Sequence, residues 1–283
     1  MTEAVLRKAL KKSLLAIVPE VSIFVCYSAA LAMPGSMNRS VVVAQVPSTP
    51  ITPTAQPQVS DAEKSLERGL TALNQGQYEV ALGHFDQAIA TDPNFVEAYN
   101  NRGITYGELG QLQGAIADFN QALTINPKFA ASYYARGTTY HKLGQSQAAY
   151  DSLTQAIALA PEWVDPYINR GLILTKAGLR TEALNDFNQA LSLNPDNIIA
   201  LVNRSGLLVR TGDYEGALTD CNHILSLNSN IAVAYNNRGL ALAALGKNSE
   251  AQQDLEMAIA LFSQQGDTEG ESRAIKFLNK LFK

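Results

Sequence analysis

The side chains best equipped for chemistry here are three histidines, His84, His141 and His223, and two cysteines, Cys26 and Cys221. Nucleophilic or metal-assisted catalysis needs such groups to converge in one pocket. The histidines fall far apart in the chain, neither Cys-x-x-Cys nor His-x-x-x-His occurs, and Cys221 stands alone within an apolar pattern. That pattern reads as a small buried hydrophobe. The sequence therefore predicts neither an enzyme nor a cofactor or metal site.

A second set of polar residues is periodic. Arginine recurs every 34 residues, at Arg68, Arg102, Arg136, Arg170, Arg204 and Arg238. Asparagine precedes it at Asn101, Asn169, Asn203 and Asn237, and the same four periods carry Asp118, Asp186, Asp220 and Asp254 sixteen residues after the arginine. Two kinds of chemistry fit. An amide carries both donors and an acceptor, which suits it to hold the backbone of an extended peptide whatever its side chains. Alternatively Asn, Arg and Asp pair with one another inside the protein, since buried polar groups need partners.

Each period needs two antiparallel helices. A glycine recurs at Gly76, Gly110, Gly144, Gly178, Gly212 and Gly246, where it ends a first helix as a left-handed cap. The pairs Asp92-Pro93, Asn126-Pro127 and Asn194-Pro195 stop the second helix, because proline disfavours helical geometry in the residue before it. In the second period the spacing predicts helices over 96–109 and 112–125. Small residues at Gly103 and Ala115 allow the two axes to cross closely, so these two are expected to face each other. Ser60-Asp61-Ala62-Glu63 has the spacing of a capping box, which places the start of ordered structure there.

Self-similarity at this period indicates an array of supersecondary units. The pattern of small, aromatic and proline positions, complete in Tyr99, Gly103, Tyr106, Ala115, Phe119, Ala122 and Pro127, resembles the tetratricopeptide repeat. Local departures are Ser65 and Ala72 in the first period, Ser205 and Cys221 in the fifth, and Ser229 and Ser263 for the closing proline. The resemblance implies an all-α solenoid of helix-turn-helix repeats, a right-handed superhelix, with six repeats over 62–265 and a C-terminal capping helix in 266–283. It also implies a non-catalytic protein-interaction scaffold whose first helices line a concave groove for a protein or peptide. Carried over position by position, that groove comprises Asn100, Asn101, Tyr134, His141, Lys142, Asn169, Lys176, Asn203, Arg210, Asn236 and Asn237. Tyr134 is suited to anchor an apolar residue, and Lys142, Lys176 and Arg210, one period apart, to attract an acidic segment. The carboxylate-clamp type of these repeats expects lysine and asparagine where Leu66 and Leu70 stand, so capture of a chain terminus is not expected. Trp163 reads as packing between repeats.

Residues 1–44 differ in composition. Arg7, Lys8, Lys11 and Lys12 precede an apolar run from Val21 to Ala32, as in an export signal, with cleavage after Ala32 or Ala44. This predicts an exported, periplasmic or lumenal protein. The alternative is an uncleaved membrane anchor over 13–32, although Pro19 and Glu20 interrupt it. Residues 45–60, with Pro47, Pro50, Pro53 and Pro57, read as an extended, disordered linker. A net charge of −4, with no basic run on the repeats, argues against nucleic acid as a partner. At the other end, Ala274, Ile275, Leu278, Leu281 and Phe282 form the apolar side of a last helix, the cover that an end unit needs. The functional alternatives left open are a membrane-tethered assembly factor and a non-catalytic subunit of an enzyme complex.

Overall fold

The computed structural model describes residues 60–281. The expected signal or anchor, the cleavage points and the linker up to residue 59 lie outside the described residues, as does Phe282. The fold is an all-α helical repeat, and the chain divides after Pro161 into two compact units.

The first unit holds α1 (Asp61–Asn74), α2 (Tyr78–Thr91), α3 (Val96–Glu108), α4 (Leu112–Ile125), α5 (Ala130–Lys142) and α6 (Ser146–Leu159). The second holds α7 (Val164–Lys176), α8 (Arg180–Leu193), α9 (Ile198–Thr211), α10 (Tyr214–Leu227), α11 (Ala232–Ala244), α12 (Asn248–Gln265) and α13 (Thr268–Leu281). Within each unit consecutive helices pack on one another, and first helices also touch the next first helix, as α3 touches α1 and α5, and α9 touches α7 and α11.

The chain enters α1 through the expected capping box: the Ser60 hydroxyl accepts from the Glu63 amide, and Glu63 Oε2 accepts from the Ser60 amide. First helices end at glycines with φ between 72° at Gly144 and 87° at Gly212, a conformation that costs other residues a Cβ clash. Four of the second helices end on an Asx turn. Asp92, Asn126 and Asn194 each accept, through the side chain, from the amide two residues on, and Asn228 does the same at 2.9 Å although Ser229 stands where proline was expected. The short polar side chain makes this turn without the proline at Asn228, and the third period makes it at Ala160-Pro161 without the polar side chain.

The core is built on one repeated contact. Phe85, Phe119, Leu153, Phe187 and Leu255 of the second helices are wholly or almost wholly buried, and they lie against Gly69, Gly103, Gly137, Gly171 and Gly239 of the first helices. A Cβ on Gly103 would stand 2.7 Å from the Phe119 ring and 3.1 Å from the Ala115 carbonyl, so Gly103 does face Ala115, with the ring filling the space between. Burying each such side chain is worth about 1.5–3 kcal/mol. The fifth period substitutes both partners at once: fully buried Ser205 meets fully buried Cys221.

The last turn departs from the period. α12 runs for 18 residues where α10 has 14, and it ends on Gly266 with φ 72°. Asp267 then caps α13 by accepting from the Gly270 amide at 2.8 Å. α13 packs on α12 and touches α11, with Ala274 fully buried. Its expected apolar side is only partly buried, since Ile275 and Leu281 are exposed and Phe277 turns inward in their place.

Candidate functional site: the faces of the first helices

The periodic arginines form an internal clip. Arg102, Arg170, Arg204 and Arg238 each hold Asp118, Asp186, Asp220 and Asp254 by two parallel hydrogen bonds of 2.6–2.8 Å from Nε and Nη2. The third arm, Nη1, reaches back to the preceding period, from Arg102 to Asp86, from Arg204 to Asn188 and from Arg238 to Asn222. Arg136, in the period without the aspartate, uses Ser152 and Asn120 instead. Tyr99, Tyr133, Tyr167 and Tyr235 lie with their rings 5.2–6.0 Å from the guanidinium three residues later, a cation–π contact that holds the fork in place.

The electrostatics follow from this geometry. Hydrogen bonds to Asp118 and Asp254 raise Arg102 and Arg238 above the ordinary arginine range. For Asp186 burial outweighs the Arg170 fork and pushes the carboxyl up. Burial also pushes the Cys221 thiol up to about 12, so it is not a nucleophile at neutral pH. His223 lies 2.8 Å from Asp196 in an exposed pair. Among the described residues no group of three or more His, Cys, Asp and Glu could hold a metal ion.

The asparagines take no part in the clip, which corrects the expectation of an Asn-Arg-Asp cluster. Asn101, Asn169 and Asn203 each donate Nδ2 to the carbonyl four residues back in their own helix, at 2.8, 3.1 and 2.7 Å. The amides instead reach the nearest backbone acceptor, one turn back.

Burial divides the expected groove residues. Asn100 and Asn101 are 2% and 6% exposed, and Asn100 accepts from the Ser132 hydroxyl at 2.8 Å, so both are largely taken up in the packing of α3 against its neighbours. Tyr134 and His141 are half-buried on α5, and Lys142 is exposed at its end. In the second unit Asn169 and Asn203 are half-buried, and Lys176 and Arg210 are exposed in the last turns of α7 and α9. Asn236 and Asn237 are buried, the latter donating to Ser205 at 3.1 Å.

The structure brings Asn203, Arg210, Asn236 and Asn237 to one recess in the second unit, floored by Gly206 and Val202 and walled by Phe187, Phe262 and Phe277. Among the contributors not expected from the sequence are Gly206, Arg273 and Phe277. Gly206 carried a signal, since the equivalent residues of the other periods are Leu70, Ile104, Thr138, Leu172 and Leu240. Arg273 and Phe277 follow the break in the period after α12 and could not be placed from it.

Tetratricopeptide repeat family models match residues 96–129, 119–151, 164–197 and 231–263, and a TPR repeat model matches 69–110. The chain belongs to the tetratricopeptide repeat family. It is thus a protein-interaction scaffold in the general sense, of a fold that is characteristically non-catalytic. No curated protein matches the sequence. Among solved structures it is similar to YrrB, described as "a TPR protein with an unusual peptide-binding site", at 24% identity and TM-score 0.58, over 68% of this chain and 97% of that one. It is similar also to pilF of Pseudomonas aeruginosa, at 17% identity and TM-score 0.67, over 75% and 96%. A tetratricopeptide repeat protein from Parabacteroides merdae matches at 20% identity and TM-score 0.58, over 79% and 94%. At these identities the likeness is one of fold.

Proposed function

We propose that the protein holds an extended segment of a partner protein against the faces of its first helices and performs no chemistry on it. The observation that carries this reading is Asn203. It is half-buried, it spends one N–H on Ile199, and its second N–H and Oδ1 make no hydrogen bond within the protein. That leaves one donor and one acceptor for a passing peptide backbone, on a residue bordering a recess with aromatic walls. A benzophenone amino acid at exposed Ile199, one turn before Asn203 on α9, is expected to cross-link a partner through one continuous segment, mapped by mass spectrometry. Cross-links obtained only from the second helices, for example with the probe at exposed Met257, overturn the proposal.

We further propose that this scaffold is exported, on the basis of the basic start and apolar run in residues 1–32. Sequencing the N-terminus of the protein from its native cells tests this. A start at Met33 or Gln45 supports export with cleavage, and retention of Met1 in a membrane fraction supports a tether instead.

A further inference from the structure

The recess in the second unit has a composition that selects its occupant. We infer that it binds an acidic stretch of the partner segment by seating one large apolar side chain of that stretch over Gly206, with the flanking carboxylates on Arg210 and Arg273. This inference rests on the peptide-holding function proposed above and adds to it the chemical class of the peptide.

Three observations support it. First, Gly206 is not there to let helices approach. A Cβ at Gly171 would stand 2.7 Å from the Phe187 ring, whereas at Gly206 it would meet one atom within 4 Å, Asn237 Nδ2 at 3.4 Å. The missing side chain thus leaves an opening where other periods carry Leu, Ile or Thr, a cavity of about 50 Å³ against buried Phe187 and Phe262. That size suits the tip of one side chain. Second, the charged residues lining the recess are both arginines, Arg210 and Arg273. Arg273 shares Nη1 with Glu269 at 2.6 Å, but Glu269 is mostly exposed and lies outside the lining. Third, α9 and α11 contain no Asp or Glu at all. Lys176, at the end of neighbouring α7, extends the positive edge. A peptide carboxylate entering here meets donors and positive charge, whereas a lysine would meet repulsion.

The test uses the full chain and two pools of fluorescein-labelled nonapeptides, one alternating Asp or Glu with Leu or Phe, the other with Lys in place of the acids. Fluorescence anisotropy is expected to show saturable binding of the acidic pool, at least about tenfold tighter than the basic pool and weakening as salt rises. Gly206→Leu, which fills the opening, and Arg210→Glu, at an exposed position, are each expected to weaken acidic-pool binding about tenfold or more. Circular dichroism confirms that each variant is folded. Equal binding of both pools, or no binding of either, overturns the inference. So does acidic-pool binding that neither folded variant alters; if benzophenone at position 199 still captures the peptide in that case, the groove function stands and only the assignment to this recess falls.

Discussion

Arg204 grips Asp220 through two parallel hydrogen bonds, 2.8 Å from Nε and 2.6 Å from Nη2, while its third arm reaches Asn188 at 2.8 Å. One guanidinium therefore joins its own helix pair to the one before. The Asp220 side chain is 3% exposed, so its charge depends on that fork. Arg204→Ala is expected to destabilise the second unit by about 3 kcal/mol, because it strands a buried carboxylate. Arg204→Lys should recover little of this, since an ammonium cannot make the bidentate contact. Urea unfolding of the two variants checks the order.

Ser205 and Cys221 are a matched pair. Elsewhere a glycine opposite a phenylalanine or leucine fills the helix crossing; here a smaller thiol leaves room for a hydroxymethyl group, which donates to the Val202 carbonyl at 2.9 Å. Cys221→Phe alone should overpack the crossing at a cost of about 1–3 kcal/mol. Adding Ser205→Gly should recover most of that loss. A double-mutant cycle showing simple additivity would sink the idea that the two positions are coupled.

Gly171 and Gly206 sit in equivalent helices, yet alanine should act on them with opposite signs. Gly206→Ala adds a methyl that the site accommodates and is expected to stabilise by about 0.5–1 kcal/mol through helix propensity. Gly171→Ala drives a Cβ to 2.7 Å from the Phe187 ring and should destabilise by about 1–3 kcal/mol. Thermal midpoints of the two variants on either side of the parent are the expected result.

The turn after α10 lacks its proline but is already made by Asn228, whose Oδ1 accepts from the Asn230 amide at 2.9 Å. Ser229→Pro should therefore fit without rearrangement and stabilise by about 0.4–1 kcal/mol by restricting the unfolded chain. Asn228→Ala should act the other way. A loss of stability on introducing the proline would show that the turn differs from its equivalents.

Cys221 carries a pH dependence. Its folded value is pushed from 9.0 up to about 12 by burial, so between these values the unfolded chain has lost a proton that the native protein keeps. The thiol's contribution to stability is therefore complete below pH 9.0 and falls away as the pH rises towards about 12. In the native protein it should resist iodoacetamide at pH 8.5 and react once urea unfolds the chain. Prompt alkylation without denaturant would contradict its burial.

The periodic elements were legible in the sequence because their causes are local. A left-handed glycine such as Gly110, an Asx stop such as Asn126 and the Ser60 capping box each act over a few residues, and the 34-residue repeat of Gly103, Phe119 and their equivalents declares which faces meet. The same period suggested that Asn203, Arg204 and Asp220 belong to one internal group but not which of them pair. Asparagine, arginine and aspartate recur together, and only side-chain geometry showed that the guanidinium takes the carboxylate while Asn203 turns to its own backbone.

What the chain alone determined, then, is the helix pair, its repetition and its family. What tertiary structure decided is which polar groups are spent inside and which are left to meet a partner. Asn101 and Asn203 occupy the same position of their periods and make the same bond four residues back, yet one is 6% exposed and the other half-buried. Their exposure differs because it depends on neighbours distant in sequence. Around Asn203 those include Phe277 of α13, brought in by a last turn that breaks the period. A one-dimensional repeat specifies contacts within itself and with its neighbours; it carries no record of the irregular helix that completes the wall of the recess.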